Sequence, residues 1–352
     1  MKILITGVHG FVGSNLVKAL SKDNIIYGLD IIAPEKEGVA KTYSWEDLED
    51  KSSRVQEFNG SSDGIPEVDA IIHLAGKAHD TKNQTVSDVY FKVNTGLTQK
   101  IFDYYLAHPN IKKFIFFSTA KAAADRVEGI LNEDVIPSPI GPYGESKIAA
   151  ENYIISKFQD SGFKFQGTYK DTKNSELTTD SQLSTLNSQL PAKQVYILRP
   201  CMIHGPGNKG NLNLLYGVVK KGIPWPLGAF ENKRTFTSID NLCFVINGLL
   251  TQNVESGIYN MGDDEPLSTN ELIEEICNSL GKKAHIWHIS RGFMESVAKI
   301  GGILHLPLNP ERLQKLTENY VSSNAKIKNA LGVDKMPVDA REGLRRTLKS
   351  FQ

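Results

Sequence analysis

The stretch MKILITGVHGFVGSNLVKALSKDNIIYGLD (residues 1–30) decides the fold class. Its first apolar run is typical of a buried strand, and a turn with glycines at intervals of three follows, at Gly7, Gly10 and Gly13. Glycines at this spacing permit a tight turn, close approach of the backbone to a pyrophosphate, and close packing of a helix on the strand. A second apolar run ends in Asp30. The pattern predicts a strand–helix–strand unit that binds a dinucleotide.

Asp30 indicates which dinucleotide is bound. A carboxylate at this distance from the glycine turn can accept hydrogen bonds from the hydroxyl groups of the adenosine ribose. No basic residue follows directly in Asp30-Ile31-Ile32, so the 2′-phosphate of NADP would meet electrostatic repulsion. The sequence therefore predicts NAD as the cofactor.

Strand-like and helix-like segments alternate along the first 200 residues, with further apolar strands in VDAIIHLAG, KKFIFFST and VYILRP. This alternation predicts an α/β fold with a Rossmann-type, doubly wound parallel sheet and a smaller, mostly C-terminal substrate lobe. We expect the dinucleotide-binding domain at 1–200 and the substrate lobe at 201–352. Part of 235–262 is expected to return to the first domain.

YGESK (143–147) places a tyrosine and a lysine four residues apart, one turn apart on one face of a helix. A nearby ammonium favours the phenolate form of a phenol, which lets Tyr143 act as a general base or acid. Thr119 ends a predicted strand, and parallel strands collect their ligands at their carboxyl ends. The sequence therefore predicts Thr119, Tyr143 and Lys147 as catalytic residues.

Composition excludes several other classes of protein. Lys plus Arg and Asp plus Glu balance at 40 each, so no overall basic charge attracts nucleic acid or an anionic membrane. No apolar stretch approaches the roughly 20 residues of a membrane span; the nearest, SVAKIGGILHLPL (296–308), predicts a helix of the substrate lobe. The three cysteines are scattered, without metal-like spacing. We expect a reduced, cytoplasmic protein without a metal and without membrane insertion.

The segment 166–194 differs from its surroundings. It is rich in Ser, Thr, Asn and Gln and contains the direct repeat SQL-STLN-SQL. A short connection would serve at this point of the fold, so the segment is predicted to be a disordered surface insertion.

These motifs together resemble the extended short-chain dehydrogenase/reductase superfamily, and within it the NAD-dependent nucleotide-sugar 4-epimerases and their relatives. TGVHGFVG is similar to the cofactor loop of that family, HLAG to its second cofactor segment, and YGESK to its YxxxK pair. VNTG and ILRPCMIHGPG match two further segments. The run AKAAAD after Thr119 departs from the common VYG-like sequence and resembles a subgroup associated with surface-polysaccharide genes.

The resemblance implies the following site residues. Catalytic roles fall on Thr119, Tyr143 and Lys147. Cofactor contacts fall on Gly7, His9, Gly10, Phe11, Val12, Gly13, Asp30, Leu74, Ala75, Gly76, Asn94, Ser118, Tyr143, Lys147 and Pro200. Substrate contacts fall on Lys77, Thr119, Asn211, Leu212, Arg234 and Arg312, with Tyr320 near the sugar ring. A guanidinium suits a diphosphate because its planar N–H groups can bind two oxygens at once.

The implied activity is 4-epimerisation of a UDP-hexose or UDP-N-acetylhexosamine through a transient 4-keto sugar, for surface polysaccharide synthesis. The alternative is an NAD(P)H-dependent reductase of a UDP-4-keto-6-deoxy-hexosamine, which would use the same residues. The helical segments at 87–107 and 144–158 are apolar on more than one face. The family often pairs them across a two-fold axis, which implies a homodimer.

Overall fold

The computed structural model describes residues 1–48, 64–77, 86–166, 193–208, 210–304 and 308–352. The predicted insertion at 166–194 therefore lies, apart from its ends, outside the described residues. The strands are β1 (Lys2–Thr6), β2 (Ile25–Leu29), β3 (Lys41–Tyr43), β4 (Ala70–His73), β5 (Lys113–Phe117), β6 (Ile130–Leu131), β7 (Gln194–Pro200), β8 (Met202–His204), β9 (Phe236–Ser238), β10 (Gly257–Met261) and β11 (Val321–Ser322).

The helices cover both faces of the sheet and build most of the substrate lobe. They are α1 (Phe11–Leu20), α2 (Ser87–Tyr90), α3 (Leu97–Ala107), α4 (Ala120–Ala123), α5 (Pro142–Asp160), α6 (Asn211–Lys220), α7 (Ile239–Thr251), α8 (Thr269–Ser279), α9 (Arg291–Ile303), α10 (Pro310–Thr317), α11 (Ala325–Leu331) and α12 (Ala340–Lys349). No helix among these described residues is long and apolar enough to cross a membrane.

Seven strands form one parallel sheet in the order β10-β7-β5-β4-β1-β2-β3. The order reverses direction at β1, from which the chain moves first to β2 and then across to β4. The predicted Rossmann-type, doubly wound fold is confirmed. Strand β10, at 257–261, pairs with β7 at one edge of this sheet, although it follows much of the substrate lobe in sequence.

Both faces of the sheet are buried, as a parallel sheet requires. Side chains of α1 and α7 pack on one face, where Leu16 and Leu242 belong to the same buried cluster as Ile3 and Ile5 of β1. Helices α3 and α5 pack on the other face in a second cluster around Leu4 and Phe114. A third cluster, built from α6, α8, α9, α10 and α12, forms the core of the substrate lobe.

The predicted helix at 87–107 is not a regular α-helix throughout. Its middle, Phe91–Gly96, is a π-helix between α2 and α3. A π turn inserts an extra residue and is frequent at functional sites. Here it contains Asn94, which is fully buried.

A buried ion pair attaches α5 to the sheet. Arg199 of β7 donates from Nε to Glu151 Oε1 at 3.0 Å, and its Nη2 lies 2.5 Å from Glu151 Oε2. Neither side chain is exposed, and the Ser118 hydroxyl also donates to Glu151. Since the interior solvates charges poorly, each ion depends on the other.

We predict that Glu151→Leu lowers the free energy of unfolding by about 3–5 kcal/mol, because it leaves the Arg199 guanidinium buried without its carboxylate. The double variant Glu151→Leu/Arg199→Met should recover most of this loss. Urea unfolding of the wild type and the three variants, including Arg199→Met alone, measures the coupling. Additive losses in the double variant would contradict the prediction.

Candidate active site

The glycine turn forms the tight connection between β1 and α1. Gly7 has a positive φ of 69°, and its N–H donates to Leu29 O at 2.8 Å. A Cβ on Gly13 would lie 2.5 Å from Gly7 O, so only glycine lets α1 approach the strand this closely. Gly10 caps α1 without any side-chain hydrogen bond. The N–H groups of the first turn, which includes Phe11 and Val12, therefore have no side-chain acceptor at the cap and suit an anion.

Asp30 follows β2 at the same edge of the sheet. Its Oδ2 accepts from His9 N at 3.1 Å, and its Oδ1 accepts from Ile31 N at 2.8 Å. The structure also brings in a cation that sequence reasoning missed: Lys36 Nζ donates to Ser14 Oγ at 2.6 Å in the first turns of α1. Burial lowers the pKa of Lys36, neighbouring Lys18 lowers it further, and Asp30 raises it. The predicted repulsion of a 2′-phosphate considers residues 30–32 alone. Lys36 lies outside that stretch and adds a positive charge that interacts with Asp30.

The HLAG segment is held by hydrogen bonds to two neighbouring elements. Thr6 Oγ1 accepts from Leu74 N at 3.1 Å and from Ala75 N at 2.9 Å. Asn94 Oδ1 accepts from Lys77 N at 2.7 Å. These bonds fix the loop after β4 to the end of β1 and to the π-helix.

Asn94 also joins this loop to the catalytic helix. Its Nδ2 donates to Ser146 Oγ of α5 at 3.0 Å and to Lys77 O at 3.2 Å. A Cβ on Gly76 would lie 2.9 Å from Asn94 Oδ1 and 3.2 Å from Lys147 Nζ. The loop and the lysine therefore approach each other closely at this glycine.

The structure brings the three predicted catalytic residues together. Thr119 caps the short helix α4, with its Oγ1 accepting from Lys121 N at 3.3 Å, and its side chain hydrogen-bonds to Tyr143. Tyr143 lies in the first turn of α5, and Lys147 lies one turn later. The Lys147 ammonium donates to Phe117 O at 2.8 Å, at the end of β5.

The electrostatics of the pair differ from the simple expectation. Burial raises the pKa of Tyr143, although the hydrogen bond from Thr119 opposes this, and Tyr90 raises it further. Burial lowers the pKa of Lys147 to about 8, and Glu151 opposes that shift. The two pKa values therefore move apart, the phenol upward and the ammonium downward, because burial favours the neutral form of each group.

Ser118 and Pro200 occupy the ends of adjacent strands. The Ser118 hydroxyl is directed to Glu151, and its backbone N–H donates to Leu198 O at 2.8 Å. Pro200 ends β7 opposite Met261 of β10. Both roles in cofactor binding remain predictions.

Glu151 was missed at the sequence level, although it lies one helical turn beyond Lys147 and two beyond Tyr143, on the same face of the helix.

Arg234 lies at the border of the substrate lobe. Its Nη1 donates to Lys315 O of α10, and burial lowers its pKa while Glu318 raises it. Its backbone pairs with Tyr320, whose hydroxyl donates to Ala124 O at 2.9 Å. Tyr320 is 5% exposed and belongs to a buried cluster, so its ring contributes mainly to packing.

Lys121 is a second cation that sequence reasoning missed. Its Nζ lies 4.8 Å from the centre of the Tyr320 ring, 3.0 Å from Asp125 Oδ1 and 3.9 Å from Glu318 Oε1. It lies two residues after Thr119, in the run AKAAAD, whose resemblance to the surface-polysaccharide subgroup was the available signal for it.

The remaining predicted substrate residues lie on the helices of the lobe. Asn211 begins α6 and is exposed, whereas the Leu212 side chain is 2% exposed and packs in the core of the lobe. Leu212 therefore has only its backbone available for a ligand. Arg312 lies in the first turn of α10, where its N–H donates to the cap Asn309 at 2.9 Å.

We predict that Gly13→Ala displaces α1 from β1, because the added methyl group meets backbone atoms that cannot rotate away. The expected loss is about 1–3 kcal/mol of unfolding free energy, with at least tenfold weaker NAD binding. Gly217→Ala in α6 is the matched control, since a Cβ there meets nothing within 4 Å. That variant should be neutral or more stable by up to about 1 kcal/mol. Thermal unfolding and NAD titration test both, and equal behaviour of the two variants would contradict the prediction.

Comparison with known proteins agrees with this arrangement. A UDP-glucose 4-epimerase of Vibrio cholerae is 27% identical to the chain, covering 99% of the chain and 95% of that relative. An N-acetyl-alpha-D-glucosaminyl-diphospho-ditrans,octacis-undecaprenol 4-epimerase of Escherichia coli O157:H7 is 24% identical, covering 82% of the chain and 75% of the relative. The structure of MoeE5 in complex with UDP-glucose and NAD superimposes with a TM-score of 0.69 at 17% identity, covering 99% of the chain and 98% of MoeE5. The last likeness shows the fold.

Residues 3–168 match the family model described as the NAD dependent epimerase/dehydratase family. This range contains the glycine turn, Asp30, Thr119, Tyr143 and Lys147, which the structure places along one edge of the sheet. The first part of the chain therefore resembles the NAD dependent epimerase/dehydratase family, in agreement with the motifs.

Proposed function

We propose that the protein is an NAD-dependent 4-epimerase of a diphosphate-linked hexose, with a UDP-hexose or UDP-N-acetylhexosamine as its substrate. The observation that carries this proposal is the hydrogen bond between Thr119 and Tyr143 next to Lys147, beside the glycine turn. The Vibrio cholerae relative, a UDP-glucose 4-epimerase that covers nearly the whole chain, supports the reaction. The epimerase family of residues 3–168 supports the cofactor.

The residues at the strand ends fit NAD. The first turn of α1 would hold the pyrophosphate, and Asp30 retains lone pairs for the ribose hydroxyls beyond the two backbone bonds that it accepts. Gly7 and Gly76 have no Cβ, which lets the first loop approach the Leu74–Ala75 backbone and the second approach Asn94 and Lys147. When bound, NAD supplies the hydride acceptor and donor at the sugar C4.

Tyr143 acts as the base on the sugar. As phenolate it removes the proton of the 4-hydroxyl group, and it returns the proton to the same oxygen when the alcohol forms again. Thr119, hydrogen-bonded to the phenol, keeps the sugar oxygen and the phenol oxygen within the distance of proton transfer. Lys147 supplies the positive charge that stabilises the phenolate.

The substrate lobe is expected to hold the diphosphate. Arg312 lies on α10, and the Arg234 guanidinium donates to Lys315 O of the same helix, so both can supply guanidinium groups. Asn211 is exposed at the start of α6. Guanidinium groups recognise diphosphate oxygens without reference to the group that carries them. The relatives differ in this carrier: the Vibrio protein is named for a nucleotide sugar and the Escherichia protein for a polyprenyl diphosphate sugar. We propose the UDP-sugar as the assay substrate and a role in surface polysaccharide synthesis.

We further propose a cytoplasmic homodimer. Val89 of α2 and Phe91 of the π-helix are 40% and 37% exposed, beside the partly exposed Ile148 of α5. A two-fold pairing of these helices would cover the three side chains.

The proposed function predicts epimerisation without added cofactor, because the hydride returns to the sugar in each cycle. Purified protein is incubated with UDP-glucose or UDP-N-acetylglucosamine, and NMR follows the C4 epimer. Tyr143→Phe should lower the rate by roughly 10²–10⁴-fold while NAD remains bound, since it removes the proton acceptor alone.

Either of two results would overturn this assignment. Substantial turnover by Tyr143→Phe would remove Tyr143 from its role as the base. No epimer from either sugar, together with oxidation of NADH or NADPH by a UDP-4-keto-6-deoxy-hexosamine, would make the protein a reductase instead.

The pH dependence follows from the lowered pKa of Lys147. Its ammonium is charged below about pH 8 and neutral above it. We therefore expect the rate to fall as the pH rises through about 8, because the phenolate loses its neighbouring charge. Lys147→Arg keeps the charge at these pH values and should move the alkaline limb of the kcat profile upward. The same alkaline midpoint in both proteins would contradict this explanation.

A further inference from the structure

Helix α9 carries an apolar stripe that the protein itself leaves uncovered. Phe293, Val297, Ile300 and Leu304 recur at the i, i+4, i+7 and i+11 spacing of one helix face, and Leu304 directly follows the last turn. They are 59%, 37%, 56% and 61% exposed. Four large apolar side chains in one row on a surface mark an interaction site rather than scattered exposure.

The stripe lies beside the packed face of α9, not on it. Met294, Ala298 and Gly301 are the buried residues of the helix. At about 100° per residue, their directions centre roughly 100° away from the exposed stripe. The helix is therefore apolar over two neighbouring arcs, and the lobe core covers one of them.

The position of α9 relates the stripe to the proposed diphosphate site. Helix α9 packs against α10, and Lys299 of α9 and Gln314 of α10 line a cavity of about 290 Å³ between them. Helix α10 also carries Arg312 and the Lys315 carbonyl that accepts from Arg234. The helix that packs against α9 therefore carries one of the two guanidinium groups and contacts the other.

The segment that contains the stripe is basic, although the whole chain is neutral. Residues 280–304 contain four Lys or Arg and a single acidic residue, Glu295. The cations are Lys282, Lys283, Arg291 and Lys299, and all four are exposed. The Trp287 side chain in the same segment is 54% exposed. Aromatic and apolar side chains with flanking cations are typical of helices that lie in a membrane interface.

We propose that α9 docks on an anionic lipid surface, with its apolar stripe in the interface and the four cations near the lipid headgroups. A second copy of the chain fits less well, since a two-fold contact would bring two equally basic segments together. The docking rests on the proposed function in one respect: it would place a site for diphosphate-linked hexoses at a lipid surface, within reach of sugars whose diphosphate is carried by a lipid.

Vesicle sedimentation of the full-length protein tests the proposal. Wild-type protein is expected to bind vesicles of phosphatidylcholine with phosphatidylglycerol, and to bind more weakly when phosphatidylglycerol is omitted or the salt concentration is raised. Phe293→Glu/Ile300→Glu should lower the partition coefficient by about tenfold or more. Ile25→Glu is the matched control, because it also replaces an exposed isoleucine by glutamate. Ile25 is 49% exposed and lies at the amino end of β2, outside the stripe. This control should bind vesicles like the wild type.

Turnover of the soluble UDP-sugar, measured on the same preparations, separates the two proposals. Equal turnover by the wild type and Phe293→Glu/Ile300→Glu shows that the variant is folded and that its loss of vesicle binding is local. If the wild type binds vesicles but neither it nor the variants turn over the UDP-sugar, the proposed function is contradicted and the docking remains supported.

Two results would overturn the docking. One is an absence of vesicle binding by the wild type. The other is conversion of the wild-type oligomer into a smaller species by Phe293→Glu/Ile300→Glu, without any vesicle binding, which would assign the stripe to a second copy of the chain.

Discussion

The buried ion pair between Glu151 and Arg199 constrains the catalytic part of the molecule. It attaches the helix that carries Tyr143 and Lys147 to the end of β7, and through the Ser118 hydroxyl to the end of β5. Two charges without exposed area tolerate little displacement, because a small separation would leave both poorly solvated. The pair therefore holds the base at a fixed height above the strand ends, where Thr119 meets it.

A second constraint acts from the opposite side of the site. Asn94 bonds both to the loop after β4 and to Ser146 of the catalytic helix. The π-helix places this amide inward without ending the helix that contains it. Polar contacts thus join the glycine turn, the loop after β4 and the catalytic helix. These contacts are directional, unlike apolar packing. Such contacts hold a site in register more strictly than burial does.

Much of the fold and part of the site could be predicted from local pattern. The glycine spacing, the alternation of strands and helices, and the Tyr143–Lys147 interval are each periodic features of a short segment. The structure has the tight turn, the parallel sheet and the helix that they predict. Glu151, Lys36 and Lys121 escaped because their importance depends on partners distant in sequence. The uncovered stripe on α9 escaped for a related reason. Its residues are visible as apolar in the sequence, but which arc the lobe would cover is not.

The sequence by itself determined the parallel sheet, the dinucleotide turn and the types of residue available for proton transfer, since these follow from chain sterics and local periodicity. Only the tertiary structure decided the direction of the pKa shifts of Tyr143 and Lys147, because desolvation depends on everything packed around a group. It also decided that Leu212 is core and that the apolar stripe of α9 stays at the surface. Burial is a property of the assembled molecule, and no segment carries it alone.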